Sequence, residues 1–452
     1  MTSFPKEKGF YQVRIHEWAK EGETAARLRN VPIYVPHGIP GEKVKVQVTE
    51  VFRNFSRANI DAVLEASDHR VSVPCEYFST CGGCQWQHVD SEAQLEAKRR
   101  SVEKNFFRYE SLKDCLVLPV IPSPAPYHYR NKFQVPIAKS KGRAVGGFYY
   151  PRTHQLTALN DCQVQSALTN EIYREILHQV NALQVEPYDE KRHEGILRSC
   201  IIREGFFTGE VMVIFVTRSE SFPKSDELTG RLLKKFSSIV SVMHNIQPAK
   251  TNVFLGSDSK VLAGKSFFHE KILDWIFQIS WSSFFQINSP QVSSLIEVVS
   301  RMAELKRGEK LLDLYCGAGL LSIALSPGAS EVLGLEANAQ AVEDARVNAA
   351  ANRAGNVRFE TCNIENELIE KIKTPYDVVI VDPPRQGLQK SVIQNISQLK
   401  IPKMIYVSCD PESLAHDLDK FVENGYKLEE AQPIDLFPQT YHVETVARLT
   451  LL

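Results

Sequence analysis

The sequence predicts an α/β protein of three parts: an N-terminal small β-barrel, a central α+β domain and a C-terminal doubly wound α/β domain. Three observations support this class. Short alternating apolar runs occupy the first part, a cluster of cysteines opens the second, and near-continuous apolar strands separated by helical segments fill the third. A chain of 452 residues is also too long for one core, since domains average roughly 100–200 residues. We place the domains at residues 1–66, 67–280 and 281–452.

Composition and charge exclude several classes of protein. Hydrophobic residues make up 43% and charged residues 24% of the chain, which are ordinary values for a globular protein. The net charge is only -1, so any nucleic acid must bind to a local basic surface. The N-terminal residues contain no apolar signal-peptide core, and charge or glycine interrupts every long apolar run. We therefore expect a monomeric, cytoplasmic protein without a membrane partner.

The first part predicts a small antiparallel barrel that binds RNA. Its short strand-like runs, broken by turn residues, lie at residues 11–15, 31–36, 42–48 and 58–63. Positive charge comes from Lys43, Lys45, Arg53 and Arg57, and small barrels of this kind often bind single-stranded nucleic acid. The alternative is a solvated basic edge on a capping domain. By pattern more than by signature residues, the segment resembles the TRAM domain of RNA-modifying enzymes.

The central part carries aromatic residues interleaved with basic ones. A charged helical stretch is predicted over residues 91–107, and a proline-rich turn at 122–126 separates it from strand-like runs. The basic and aromatic residues lie at 127–133, Lys139, Lys141, Arg143 and 146–150. Such a surface offers stacking faces and phosphate partners to RNA, whereas a basic strand edge facing solvent is the alternative.

Four cysteines of this part predict a metal centre. They are Cys75, Cys81, Cys84 and Cys162. The Cys-x-x-Cys pair can place two sulfurs on one metal, and intracellular cysteines are poor disulfide candidates. The spacing allows either a structural zinc or a [4Fe-4S] cluster, with redox-active free thiols as the alternative. The long first gap and the fourth cysteine argue against the open cluster of a radical enzyme. The isolated cysteines are predicted to be small buried apolar residues: Cys115, Cys200, Cys316 and Cys362.

The third part predicts a nucleotide-type site at the carboxyl ends of its strands. Strands separated by helices are predicted at residues 310–314, 331–336, 377–382 and 403–408. After the first strand, Asp313 leads into the glycine-containing loop 315–319, where the backbone approaches a charged small molecule closely. Glu336 ends the next strand, where a carboxylate can accept hydrogen bonds from both ribose hydroxyls of a nucleoside. Dinucleotide and S-adenosylmethionine versions of this site both remain open.

Asp382 and Cys409 point towards methyl transfer through a cysteine adduct. Two prolines follow Asp382, and they fix the backbone so that the carboxylate is held at the sheet edge, where ligands bind in this fold. An ordinary strand-ending turn is the alternative. Cys409 stands where a strand stops and a tight turn begins, and it is the predicted nucleophile. Amino-methylating enzymes resemble this layout but typically carry Asn-Pro-Pro-Tyr.

Five short motifs occur in order along the chain. They are Phe-Phe-Gln-Ile-Asn at 284–288, Asp-Leu-Tyr-Cys-Gly at 313–317, Asp-Pro-Pro-Arg at 382–385, Ser-Cys-Asp-Pro at 408–411 and His-Val-Glu at 442–444. Together they resemble the RNA 5-methyluridine (uracil-5-) methyltransferase family, and most of all its TRAM-containing, iron-sulfur 23S rRNA enzymes. The likeness covers essentially the whole chain. It implies a Rossmann-like, S-adenosylmethionine-dependent methyltransferase domain.

The resemblance also implies roles for individual residues. The contacts to S-adenosylmethionine would come from Gln286, Tyr315, Glu336 and Asp382. Cys409 would be the nucleophile, and Glu444 would be the base that removes a proton from the methylated uracil. A [4Fe-4S] cluster would be held by Cys75, Cys81, Cys84 and Cys162. Two positions depart from the family, because Leu320 and Asp410 stand where relatives carry asparagine.

The predicted substrate is large-subunit 23S rRNA. Compact relatives that act on transfer RNA generally lack the barrel and the cysteine cluster, so their presence favours the ribosomal substrate. The same chemistry on tRNA is the nearest alternative. Amino-group methylation would use Asp382 without Cys409. A non-enzymatic iron-sulfur RNA-binding protein would not bind S-adenosylmethionine.

Overall fold

The N-terminal part is a closed β-barrel, as predicted. The computed structural model describes residues 5–28 and 30–452, so residues 1–4 and 29 of the predicted first domain lie outside the described residues. The barrel strands are β1 (Phe10–Trp18), β2 (Thr24–Leu28), β3 (Val31–Val35), β4 (Lys43–Val51) and β5 (Ser56–Glu65), in the order β1-β2-β3-β5-β4. Alternate side chains point inward, and Val44, Val46 and Val48 are fully buried. Strand β2 was not predicted, because Thr-Ala-Ala-Arg-Leu lacks a clear apolar alternation; pairing with β1 and β3 holds it.

The central part is built around a seven-stranded mixed sheet. Its elements, with one short strand that joins another sheet, are α1 (Ser91–Phe106), β6 (Leu116–Val117), β7 (Lys132–Ser140), β8 (Arg143–Tyr149), β9 (Leu156–Ala158), α2 (Ala167–Ala182), β10 (Leu197–Glu204), β11 (Val211–Thr217), α3 (Ser225–Lys235), β12 (Ile239–Ile246) and β13 (Asp258–Gly264). The strand order is β13-β12-β11-β10-β7-β8-β9. Helix α1 matches the predicted stretch 91–107. It begins after Asp90, whose carboxylate accepts a hydrogen bond from the Ala93 N–H at 2.8 Å.

The C-terminal part is a doubly wound sheet, as predicted. The hairpin β14 (Phe267–Ile272) and β15 (Trp275–Ser280) precedes it as a separate two-stranded sheet, in the segment that we assigned to the central part. The elements that follow are α4 (Ser289–Ala303), β16 (Lys310–Leu314), α5 (Leu320–Leu325), β17 (Glu331–Glu336), α6 (Ala339–Ala351), β18 (Val357–Thr361), α7 (Ile364–Lys371), β19 (Val378–Val381), α8 (Lys390–Gln398), β20 (Lys403–Ser408), α9 (Pro411–Glu423), β21 (Tyr426–Ile434) and β22 (Glu444–Leu451). Strands β16 to β20 pair in parallel. The interiors of β16, β17, β19 and β20 are almost entirely buried because helices cover both faces, whereas the edge strand β18 buries only Phe359.

Pairing across the chain completes this sheet in a way that the sequence did not predict. The full order is β18-β17-β16-β19-β20-β22-β21-β6, and β22 runs antiparallel between β20 and β21. Strand β6 comes from the segment that we assigned to the central part, yet Leu116 pairs with Glu430 at the edge of the C-terminal sheet. None of the helices in the described ranges is both long and apolar enough to cross a membrane.

The barrel docks beside the start of α9. The Trp86 Nε1–H donates to the Gly22 carbonyl at 3.0 Å, and Trp86 is only 3% exposed. Lys20 Nζ forms an ion pair with Glu412 at 2.8 Å, and Lys104 Nζ forms one with Glu17 at 2.7 Å. Exposed pairs of this kind contribute little, so the buried tryptophan contact carries most of the docking. The barrel surface is thereby placed next to the end of β20.

Candidate active site

Strand pairing brings the two predicted catalytic residues and Asp382 to one edge of the C-terminal sheet. Strands β19 and β20 are parallel neighbours, and β22 runs antiparallel to β20 with Ser408 opposite Thr445. Asp382 follows β19, Cys409 follows β20 and Glu444 begins β22. Ligands bind at the carboxyl ends of parallel strands in this fold. The structure therefore assembles Asp382, Cys409 and Glu444 where a small-molecule substrate would enter.

The thiol of Cys409 is half-buried and surrounded mainly by acidic groups. Burial, followed by the nearby charge of Glu444, raises the pKa of Cys409 to about 12. Asp382 and Asp410 act in the same direction, while the Arg385 guanidinium lowers the pKa. The free protein therefore keeps this thiol protonated at neutral pH.

Asp410 has a local structural role that the sequence did not predict. Its carboxylate caps the N-terminus of α9 by accepting hydrogen bonds from the backbone N–H groups of Glu412 at 3.1 Å and Ser413 at 3.0 Å. Of the groups that shift the pKa of Cys409, Asp410 contributes least. An aspartate at this position therefore raises the pKa of the Cys409 thiol only slightly, because the helix N-terminus offsets much of the added charge.

The carboxyl groups of the site are harder to ionise than usual. Glu444 is 3% exposed, and burial followed by the charge of Asp382 raises its pKa well above the ordinary value. Burial, followed by the charge of Asp313, raises the pKa of Asp382 to about 7. Asp313 itself accepts a hydrogen bond from the Ser322 hydroxyl at 2.5 Å, and burial raises its pKa to about 7. Acidic groups coupled in this way carry fewer negative charges at neutral pH than separate carboxylates would.

A cavity lies beside these groups. Its lining includes three of the four residues predicted to contact S-adenosylmethionine: Gln286, Tyr315 and Asp382. Asp313, which leads into the glycine loop, also lines the cavity. Leu320, one of the two departures noted in the sequence, contributes an apolar wall. A mixed apolar and polar lining of this kind is typical of pockets that bind small molecules.

The fourth predicted residue, Glu336, lies outside the lining of this cavity. Its carboxylate turns to the backbone and accepts hydrogen bonds from the Gly317 N–H at 3.2 Å and the Asn338 N–H at 2.8 Å. Glu336 therefore fixes the glycine loop that borders the cavity. The loop also needs Gly319, whose φ is +86° and where a Cβ would come within 2.7 Å of the Phe359 ring.

Arg385 joins two residues of the C-terminal loop to the site, and this contact was not predicted. Its Nη2 group donates to His442 Nδ1 at 3.1 Å and to the Tyr441 hydroxyl at 3.4 Å. Burial, followed by the Arg385 charge, lowers the pKa of His442 to about 3, so the imidazole is neutral and can accept this bond. Both residues lie within recognised motifs, but they are 57 positions apart and nothing in the spacing indicates that they meet.

We expect the reactivity of Cys409 to report these neighbouring charges. Glu444→Gln removes a group that raises the thiol pKa, so alkylation by iodoacetamide should be faster than in the wild type at every mildly alkaline pH. Arg385→Gln removes the group that lowers the thiol pKa, so it should slow the same reaction. Mass spectrometry of Cys409 against pH measures both effects, with Cys115 as an internal control. Equal rates in the three proteins would contradict this arrangement of charges.

The four cysteines predicted to bind metal lie near one another. Burial raises the pKa of Cys81 and Cys162 to about 12 and that of Cys84 to about 11, and further increases come from neighbouring cysteines of the same group. Burial also raises the pKa of Cys75. Within residues 5–28 and 30–452, however, no three His, Cys, Asp or Glu side chains are placed to hold a metal ion. The predicted [4Fe-4S] cluster is therefore not confirmed.

Comparisons with known proteins identify the family of this chain. A family model described as tRNA (Uracil-5-)-methyltransferase matches residues 268–451, and a TRAM domain model matches residues 10–60. An uncharacterized RNA methyltransferase of Clostridium tetani is 39% identical, with 98% of this chain and 97% of that protein covered. Another, from Halalkalibacterium halodurans, is 38% identical and covers 95% of this chain and 93% of that protein.

A solved structure resembles almost the whole chain. It is the Pyrococcus abyssi tRNA (uracil-54, C5)-methyltransferase in complex with S-adenosyl-L-homocysteine. The TM-score is 0.78 at 29% identity, and the alignment covers 97% of this chain and 99% of that one. With a relative that is 39% identical along nearly its full length, the chain belongs to the RNA (uracil-5-)-methyltransferase family, as an S-adenosylmethionine-dependent RNA methyltransferase with an N-terminal TRAM domain.

Proposed function

We propose that this protein methylates carbon 5 of a specific uridine in RNA through a covalent bond between Cys409 and carbon 6 of the base. One observation carries the proposal: Cys409 and Glu444 converge on the sheet edge that Asp382 shares with the cavity. Methylation of an amino group needs no thiol. A half-buried cysteine beside a buried glutamate supplies the nucleophile and the base that the carbon-5 reaction requires.

Each catalytic residue has a distinct task. Carbon 5 of uracil is a poor nucleophile. Once the Cys409 thiol has lost its proton to solvent, addition of the thiolate to carbon 6 turns the ring into an enolate that can attack an electrophile. S-adenosylmethionine supplies the methyl group. Glu444 then removes the proton from carbon 5, the electron pair restores the double bond between carbons 5 and 6, and the carbon–sulfur bond breaks to return the thiolate. Arg385 favours the thiolate both before addition and after release.

Four residues are proposed to contact the methyl donor. Gln286, Tyr315 and Asp382 line the cavity and can reach a ligand there directly. Tyr315 is held by its hydroxyl, which donates to Glu365 Oε1 at 3.2 Å. Glu336 accepts one backbone N–H at each oxygen, and a carboxylate oxygen has two lone pairs. It can therefore accept ribose hydroxyls without releasing the glycine loop.

The barrel and the basic-aromatic tract are proposed to hold RNA around an unstacked target base. On the barrel, the rings of Phe52 and Phe55 stack at 4.5 Å, and Phe52 is 43% exposed. Three of the four predicted cations already have internal partners: Arg57 pairs with Glu23 at 2.8 Å, Lys45 with Asp61 at 2.7 Å and Lys43 with Glu65 at 3.7 Å. Fewer basic side chains are therefore available to phosphates than the sequence indicated, and stacking of bases on the exposed aromatic face supplies a larger share of the RNA contact.

We propose 23S rRNA as the substrate, with tRNA as the second candidate. The ribosomal assignment rests on the family resemblance and on the barrel and cysteine cluster. One observation favours tRNA: the Pyrococcus abyssi protein named for tRNA uracil-54 aligns with 97% of this chain. The alignment extends through the barrel, so the barrel alone does not discriminate between the two RNAs.

A covalent trap tests the proposed reaction and its substrate together. The protein and S-adenosylmethionine are incubated with 23S rRNA or total tRNA that contains 5-fluorouridine, and a denaturation-resistant adduct is sought. Fluorine cannot leave as a proton does, so the adduct persists. An adduct with rRNA supports the proposal, and mapping of the linked nucleotide identifies the uridine. An adduct with tRNA alone would show that tRNA is the substrate instead of rRNA. The absence of an adduct with both RNAs would overturn the mechanism.

A [4Fe-4S] cluster on Cys75, Cys81, Cys84 and Cys162 is also proposed. The four thiols are close enough that the charge of one opposes the ionisation of the next. Iron in a bound cluster would neutralise the thiolates, and the cluster would stabilise the local fold. The cysteine loop packs on the basic-aromatic tract, because the Gly82 N–H donates to the Tyr149 carbonyl at 3.2 Å. Loss of the cluster should therefore disturb RNA contact at this tract.

We expect the double substitution Cys81→Ser and Cys84→Ser to remove iron and sulfide and to weaken RNA binding about tenfold, by roughly 1.4 kcal/mol. Iron and acid-labile sulfide assays measure the first effect, and a binding titration with RNA measures the second. Cys115→Ser is the matched control, since this thiol lies outside the group. A variant that lacks iron but binds RNA normally would contradict the role of the cluster in RNA binding. If wild-type protein purified anaerobically contained no iron, the cluster itself would be contradicted.

A further inference from the structure

The loop 435–443 connects β21 to β22 and leads directly into Glu444. Near its end, Tyr441 and His442 contact Arg385, which lies beside the nucleophile. Glu444 itself is the first residue of β22, so its side chain moves with the end of this loop. Whatever holds the loop therefore determines where the carboxyl group stands relative to the bound base.

Gln439 is the point at which this loop is held. Its side-chain Oε1 accepts a hydrogen bond from Gln94 Nε2 at 3.1 Å, and its backbone N–H donates to Gln94 Oε1 at 3.1 Å. Its carbonyl accepts from the backbone N–H groups of Gln85 and Trp86, both at 3.0 Å. Gln94 and Gln439 are 3% and 4% exposed. Buried bonds of this kind are costly to leave unmade, so the contact defines one position of the loop.

A second contact lies one helical turn along α1. Lys98 is fully buried, and its ammonium group binds Asp435 Oδ1 at 2.5 Å and the Phe437 carbonyl at 3.1 Å. Gln94 and Lys98 are four residues apart and therefore share one face of the helix. That face holds both the beginning and the middle of the loop, and neither residue belongs to the catalytic sheet.

We propose that Gln94, supported by Lys98, is a positioning residue that sets the geometry of Glu444 for proton removal. The inference rests on the proposed function. Cys409 is held separately by β20 and α9, so loosening the loop should leave the addition of the thiolate to carbon 6 intact. It should slow the later step, in which the proton of carbon 5 passes to Glu444 and the carbon–sulfur bond breaks. The methylated adduct would then accumulate on ordinary uridine RNA.

The test compares adduct and product with unmodified RNA. Gln94→Met keeps the side-chain length, leaves the Gln439 N–H and amide without their partner, and should lower turnover about 10- to 100-fold, since small displacements of a catalytic group cost this much. Adduct formation in the first turnover should stay near the wild-type rate, and the adduct should be visible on denaturing gels at steady state. Ser101→Ala, on the same helix, is the matched control.

Two further proteins keep the result decisive. Gln94→Asn retains an uncharged amide that is one methylene shorter, so it should show a smaller effect; it also replaces Gln94→Met if that variant does not fold. Wild-type protein with 5-fluorouridine RNA tests the proposed function independently. If the wild type forms this adduct but the Gln94 variants lose addition and turnover equally, or lose neither, the positioning role is overturned while the proposed function stands. If the wild type forms no such adduct, the proposed function fails first.

Discussion

We expect Cys409→Ala to lose methyl transfer by at least about 10⁴-fold, because removal of a covalent nucleophile abolishes the pathway and not just one contact. Without the thiolate, carbon 5 of uracil remains a poor nucleophile and a bound methyl donor has nothing to react with. The measurement is transfer of a radiolabelled methyl group from S-adenosylmethionine to RNA under single-turnover conditions. Binding of S-adenosylmethionine should be unchanged, since the cavity is lined by Gln286, Tyr315 and Asp382.

Cys115→Ala is the control for this experiment, since Cys115 is half-buried and lies outside the active site. It should retain wild-type activity. Retention of activity by Cys409→Ala would instead indicate amino-group methylation centred on Asp382. Loss of S-adenosylmethionine binding together with activity would indicate a folding defect, which circular dichroism can identify separately.

We expect Glu444→Gln to lower turnover by about 10² to 10⁴-fold, the range that a positioned general base contributes. Glutamine occupies nearly the same volume but cannot accept the proton of carbon 5. Addition and methyl transfer proceed, and the methylated base stays bound to Cys409. A denaturation-resistant complex should therefore build up with ordinary RNA, where the wild type shows little.

Stability provides an internal check on this variant. The pKa of Glu444 is raised in the folded protein, so the unfolded chain releases this proton first as pH rises. The free energy of unfolding therefore falls as the pH rises from the pKa of Glu444 in the unfolded chain to its pKa in the folded protein. This pH range begins in mildly acidic solution. Glutamine removes the penalty, so Glu444→Gln should melt at the same or a higher temperature than the wild type at neutral pH. A clear fall in melting temperature would contradict the raised pKa of this buried carboxyl group.

Glu429→Gln is the matched control for the loss of turnover, because Glu429 lies on β21 and pairs with Lys427 at the surface. It should alter neither turnover nor adduct. If Glu444→Gln turned over normally, another group would have to be the base, and Asp382 would be the first candidate because it is the charge that most raises the pKa of Glu444.

Local patterns were sufficient for the central strands of the catalytic sheet. The predicted runs 310–314, 331–336 and 403–408 coincide with β16, β17 and β20, since parallel strands covered on both faces must be apolar without interruption. The pattern failed at β2 and β6, which are short and held by pairing partners. Their strand state depends on neighbours far along the chain, and no local periodicity records those neighbours.

Some residues of the candidate site were likewise identified from the sequence, whereas other contacts of the site appear only in the folded protein. Asp382 and Cys409 were identified from the chain because each follows a strand directly, and strand ends of a parallel sheet meet at one edge. Glu444 needed the family resemblance, since a lone glutamate carries no signal. The bond from Arg385 to His442 and the contact of Gln94 with Gln439 join residues 57 and 345 positions apart. Sequence spacing cannot indicate contacts of this range.

The sequence by itself determined the class of the fold, the order of its parts and the residues that can perform chemistry, because these depend on local periodicity and on the types of side chain. Tertiary structure alone decided how those residues are tuned. Burial of Glu444 and Cys409 raises the pKa of each, helix α9 offsets the charge of Asp410, and helix α1 holds the loop that carries the base. Burial and electrostatic coupling depend on which groups surround a residue in space, and those neighbours exist only once the chain has folded.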